Sequence, residues 1–136
     1  FENDSCEDDG CCDISFSYMN CSFYASAQED RVYVDIERAF YSCRLEDENE
    51  VVMVKEAINE VNKNCYAKMY CLMDETSNRL YVNSCYSFLL ILLIPELDIY
   101  LHMQFKALFK AEQFFFGVLE DLKVKAGDQK DDLERK

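Results

Sequence analysis

Glycine is scarce in this chain, proline scarcer, histidine occurs once and tryptophan is absent. The glycines, Gly10, Gly117 and Gly127, are too scattered to form a phosphate-cradling loop, which excludes nucleotide enzymes in their usual forms. With Pro95 as the single proline, there is also little room for long linkers. The lone His102 leaves a hydrolytic triad or a His-rich metal site unsupported, and its position between Leu101 and Met103 reads as helix surface. Basic residues are few as well. Against 27 Asp and Glu there are 14 Lys and Arg, a net charge of -13, so backbone-led binding to nucleic acid or to an anionic membrane is not expected. Basic or unfolded protein partners fit this charge better.

What the chain does have is apolar mass. Half of its 136 residues are hydrophobic and 14% are aromatic, enough for one compact domain. Its eight cysteines lie singly along strand-like segments except for Cys6, Cys11 and Cys12, whose spacing lacks the paired knuckles of a zinc site. No signal peptide is visible, so a reduced, cytoplasmic protein is expected, with a secreted, disulfide-linked one as the weaker alternative. The start at Phe1 rather than Met is read as a sign that a preceding segment was removed. The carboxylate runs around Asp4 to Asp9 and Glu46 to Glu50 lack the spacing of a calcium loop and read as solvated loops, so neither metal nor cofactor is expected.

Residues 1–13 form an acidic lead-in. From Ile14, apolar and polar residues alternate through a hairpin interrupted at Asn20, and again from Val32 to Glu37, which predicts three strands. Val51, Val54, Ile58, Val61 and Cys65 then share a helix face behind an acidic N-terminal run, with termination near Asn62 and Asn64. Two more strands follow, Tyr66 to Met73 and Arg79 to Phe88, the second with Leu80, Val82, Ser84, Tyr86 and Phe88 on one face. The apolar run Phe88 to Ile94 is far shorter than the ~20 residues needed to span a bilayer and is read as a buried crossover.

The chain is organised around a helix from Glu96 to Lys123, closed by Gly127 and a charged tail at 124–136. Leu97, Leu101, Phe105, Leu108, Phe109, Phe115, Phe116, Leu119 and Leu122 make its core face. A second stripe, Tyr100, Met103, Ala107, Phe114 and Val118, widens the apolar sector beyond the ~100° that a surface helix needs. Either the helix is sunk in its own core or a partner covers Tyr100, Met103, Phe114 and Val118, and the latter predicts a homodimer. Glu112 falls on the core face, where a carboxylate must reach solvent, meet a Lys or Arg, or contact a partner. Tyr86, Phe88, Phe105 and Phe109 are placed to line an apolar pocket between sheet and helix.

The stretch VVMVKEAINEVNKNCYAKMYCLMDETSNRLYVNS, Val51 to Ser84, resembles the YbjN-type bacterial family, in which a helix with an N-x-x-N-like element precedes a hairpin that begins with a small residue and Lys. Asn59, Asn62 and Lys68 are the matching positions, and Leu108 to Leu122 resembles the family's closing aromatic helix. The resemblance covers Ile14 to Lys123 and implies a type III secretion chaperone-like fold, in small acidic proteins that dimerise and are described as sensory-transduction regulators. That fold begins with a helix which this sequence lacks before its first strand. The one-turn spacing of Asn59 and Asn62 suits side-chain hydrogen bonds at a helix end or to a neighbouring strand.

The expectation is therefore one α+β domain at 14–123, with a five-stranded antiparallel sheet, helices on one face and the order β-β-β-α-β-β-α. The expected function is non-catalytic binding of a protein partner segment, chaperone-like or regulatory; the alternative is small-molecule sensing in the apolar pocket.

Overall fold

The computed structural model describes residues 2–4, 11–18, 21–28, 33–90 and 94–134. In chain order the elements are β1 (Glu2–Asp4), β2 (Cys11–Tyr18), β3 (Cys21–Gln28), β4 (Tyr33–Arg44), α1 (Glu48–Asn64), β5 (Lys68–Asp74), β6 (Arg79–Leu89) and α2 (Leu97–Glu134). The protein is an α+β domain. Its strands pair antiparallel throughout in the order β1-β2-β3-β4-β6-β5. The five expected strands and two helices occur in the expected sequence. A three-residue edge strand, β1, is added within the stretch read as a lead-in, and β2 begins at Cys11 rather than Ile14.

β6 shows how the pattern makes the sheet. Leu80, Val82, Ser84 and Phe88 are buried while Arg79, Tyr81, Asn83 and Ser87 sit on the open face, because successive side chains of a strand point to opposite sides. Ile36 and Cys43 of β4 and Met69 of β5 join the same inward layer. β4 is twelve residues long and runs past the Val32 to Glu37 alternation. Its register against β6 shifts between Ala39 and Tyr41, leaving Phe40 as an extra residue. Such a bulge turns two successive side chains to one side. Phe40 and Tyr41 both place their rings against Phe115 and Phe116 of α2, at centroid distances of 5.1 to 5.8 Å.

α1 starts where the Asp47 side chain accepts a hydrogen bond from the Glu50 amide at 3.2 Å, with Glu48 and Glu50 in the first turn favoured by the helix dipole. It ends at Asn64, as expected. α2 begins after Glu96, which adopts a left-handed φ of 51° while its carbonyl accepts the Tyr100 amide. The helix does not stop at Gly127; it continues to Glu134, 38 residues in all. A helical glycine costs only ~1 kcal/mol relative to alanine, too little to break a helix already formed on both sides of it.

The two helices run antiparallel over the inward face of the sheet. Lys123 meets Glu50 at 3.4 Å at one end, and Cys65 and Tyr66 face Ala107 and Ala111 at the other. Val54 and Val61 of α1 and Leu108 and Phe115 of α2 retain essentially no exposed surface, each burial worth ~1.5–3 kcal/mol. Two layers, sheet and α1, thus share the wide apolar sector of α2.

Candidate interaction site

Glu112 is buried in the helix–sheet layer and fully matched. Arg38 of β4 donates from Nε to Oε2 at 2.8 Å and from a second guanidinium nitrogen to Oε1, and Ser84 of β6 donates its hydroxyl to Oε2 at 2.6 Å. The guanidinium carbon lies 5.6 and 5.3 Å from the ring centroids of Phe23 and Phe109, positions that favour a cation over an aromatic face. Of the outcomes expected for Glu112, pairing with an arginine of its own chain is the one observed. Sequence reasoning missed Arg38 and Ser84, although each carried a signal. Ser84 stands in the inward file of β6, and Arg38 continues the Val34 and Ile36 file of β4. No buried side-chain nitrogen or oxygen among the described residues lacks a hydrogen-bond partner.

The family-like residues divide. Asn62 treats Met69 as a neighbouring strand would: its amide nitrogen donates to the Met69 carbonyl at 3.1 Å and its amide oxygen accepts the Met69 N–H at 2.8 Å. This closes part of the exposed edge of β5. Lys68 donates to the carbonyls of Asn62 and Cys65 at 2.9 and 2.8 Å, satisfying the free end of α1. Asn59 is exposed and joins neither arrangement. Asn62 and Lys68 hold the helix-to-strand passage together.

The expected interface residues also divide. Tyr100 and Val118 pack against the chain's own core; the Tyr100 ring edges onto Phe88 and its hydroxyl donates to the Leu89 carbonyl. Met103 and Phe114 remain outside, 61% and 39% exposed. Along the same helix Ile99 and Val124 are exposed too. The end of β6 covers Tyr100 and the core takes Val118, while the flank that carries Met103 and Phe114 is left to solvent. Of the run Phe88 to Ile94, Phe88 is buried and Leu89 and Leu90 are exposed, while residues 91–93 lie outside the described set.

The four residues expected to line a pocket are packed instead. Phe105 stacks on Tyr18 at 4.6 Å, Phe105 and Phe109 both edge onto Phe23, and Phe88 meets Tyr86 and Tyr100. Rings at such spacing form core rather than a cavity wall. A groove of about 470 Å³ lies between α2 and the C-terminal end of α1, lined by Cys65, Tyr66, Met103, Lys106, Ala107, Lys110 and Ala111. Lys106 and Lys110 form no salt bridge among the described residues, and Tyr66 at the groove's edge is 91% exposed.

His102 is exposed and shares a hydrogen bond through Nδ1 with the Tyr18 hydroxyl at 2.5 Å. Cys43, Cys65, Cys71 and Cys85 are free thiols. Burial pushes the pKa of Cys43, Cys65 and Cys85 up, which keeps them protonated and unreactive at neutral pH. Cys6 lies outside the described residues, and nothing is described of the Cys11 and Cys12 side chains. Tyr41 donates its hydroxyl to Glu50; burial first, then that carboxylate, pushes the phenol well above its usual range. No set of three or more His, Cys, Asp and Glu among the described residues could hold a metal ion, and no described helix is long and apolar enough to cross a membrane.

No family model, no curated protein and no solved structure matches this chain.

Proposed function

We propose that the protein is a non-catalytic, cytoplasmic interaction module, chaperone-like or regulatory, that holds a protein partner on the outward face of α2. The observation that carries this reading is the exposure of Met103 and Phe114 on a helix whose inner face is taken up by the sheet and α1, while Leu97 and Phe116, expected on that inner face, are themselves 44% exposed. Large apolar side chains left in water forfeit ~1.5–3 kcal/mol each relative to burial, and their grouping on one rigid helix marks a docking surface. The buried polar groups support a non-catalytic reading, since Glu112, Arg38 and Ser84 are spent on one another. A YbjN-type affiliation is part of this proposal: the order from β2 to α2 and the joint placement of Asn62 and Lys68 at the α1–β5 passage fit it, while no helix precedes β2 among the described residues.

The test is affinity capture with the intact protein and with a Met103→Asp, Phe114→Asp variant of unchanged circular dichroism. A partner retained by the first and lost by the second supports the reading. A turnover that disappears when one polar residue is substituted overturns it.

The groove favours a second reading, binding of a small anion with an apolar body, because Lys106 and Lys110 stand one turn apart over Ala107. Titration with anilinonaphthalene sulfonate tests it: saturable binding should weaken in Lys110→Glu, and binding unaffected by that change removes it.

A further inference from the structure

We infer that the partner on the outward face of α2 is a second copy of this chain, its α2 lying antiparallel to the first, with a two-fold axis passing between Gln113 and Phe114. This rests on the reading of that face as a docking surface and names its occupant. The argument is the order of charges along the face. On the N-terminal side of Phe114 stand Lys106 and Lys110; on the C-terminal side Glu120 and Asp121 come first and Lys125 stands one turn beyond Asp121, all exposed. An antiparallel two-fold maps one half of the helix onto the other, so Lys106 of each copy lies opposite Asp121 of its mate. A parallel pair would bring lysine to lysine and acid to acid. A purely acidic partner would suit the lysines but meet Glu120 and Asp121.

The apolar residues obey the same symmetry. Met103 falls opposite Val124, 61% and 57% exposed in the single chain, and Phe114 sits beside its own mate at the axis. Lys110 falls opposite Gly117, where nothing lies within 4 Å of the position a Cβ would take, so the second helix can approach closely. Opposed helix dipoles add a small favourable contribution. The net charge of -13 per chain resists association, but at physiological salt charges more than ~8 Å apart are largely screened, whereas the ion pairs at the contact are not.

The experiment is sedimentation equilibrium in the micromolar range on the full chain and on Lys106→Asp, Asp121→Lys and the variant carrying both. Circular dichroism checks that each folds, as substitutions at exposed positions should. Because each substitution acts twice in a symmetric pair, either single change should weaken the dimer about tenfold or more, and the exchanged pair should restore it. A wild-type monomer overturns this inference and leaves the docking face to a different protein, which the capture experiment reads separately. A wild-type dimer indifferent to the single changes, or not restored by the double one, overturns the antiparallel register while homodimerisation stands.

Discussion

Arg38 and Glu112, 74 residues apart in sequence, form a two-point ion pair between β4 and α2 in the centre of the helix–sheet layer. The pair ties the long helix to the sheet at a fixed height and angle, because a planar guanidinium facing a carboxylate tolerates little sliding. Removing Glu112 takes the carboxylate from a largely buried guanidinium and the acceptor from the Ser84 hydroxyl. Glu112→Ala should therefore cost about 3 kcal/mol, the lower end of the range for broken buried pairs, since Arg38 keeps some access to water. Arg38→Met combined with Glu112→Leu should recover much of that loss. Urea unfolding of the three proteins decides it; a double variant no more stable than Glu112→Ala would show that the pair contributes more than mutual neutralisation.

Asn62 should matter and Asn59 should not, although the two stand one turn apart in the same motif. Asn62→Ala removes both hydrogen bonds to the Met69 backbone and opens the β5 edge, at a cost of about 1–3 kcal/mol, with faster hydrogen exchange at the Met69 amide. Asn59→Ala, on an exposed side chain, should stay within about 0.5 kcal/mol of wild type. Equal effects at the two positions would refute this division of the motif.

How much of this was legible in advance follows from how local each signal is. The alternation of β6 and the acidic start of α1 are set by near neighbours, and both read directly from the residues. The second half of β4 did not, because the bulge at Phe40 breaks the period of two where Phe40 and Tyr41 turn together toward α2. The partner of Glu112 depends on a register across strands and on the height of a helix, which no short window contains. The division of the second stripe of α2 depends on what the rest of the fold lays against it: a helical wheel shows that Tyr100, Met103, Phe114 and Val118 share a flank, but not that the end of β6 covers Tyr100 and the core takes Val118.

Stability should fall in alkali. Burial raises the pKa of Tyr41, Tyr70, Cys43, Cys65 and Cys85 above their ordinary values of 10.0 and 9.0, so the native state holds these protons more tightly than the unfolded chain. Their contribution is complete below the unfolded values and is lost as pH rises through the folded ones. With reductant present, the urea midpoint should hold steady from neutrality to just below the ordinary thiol value and then decline. A midpoint that rises through the same window would contradict the assignment of these groups to protected positions.

Gly127 offers a test of where α2 ends. If it closed the helix in a left-handed turn, alanine there would be strained and destabilising. It lies instead inside a helix that runs to Glu134, and nothing stands within 4 Å of the Cβ an alanine would add. Alanine avoids the conformational entropy that glycine loses on entering a helix, so Gly127→Ala should raise stability by about 0.5–1 kcal/mol and slightly increase the helical signal at 222 nm. The effect on global unfolding will be largest if this last section of α2 unfolds together with the core. If it frays first, the gain will appear in the helical signal and in slower amide exchange near residue 127, with the urea midpoint unchanged. A loss of helical signal on this substitution would place the end of the helix at Gly127.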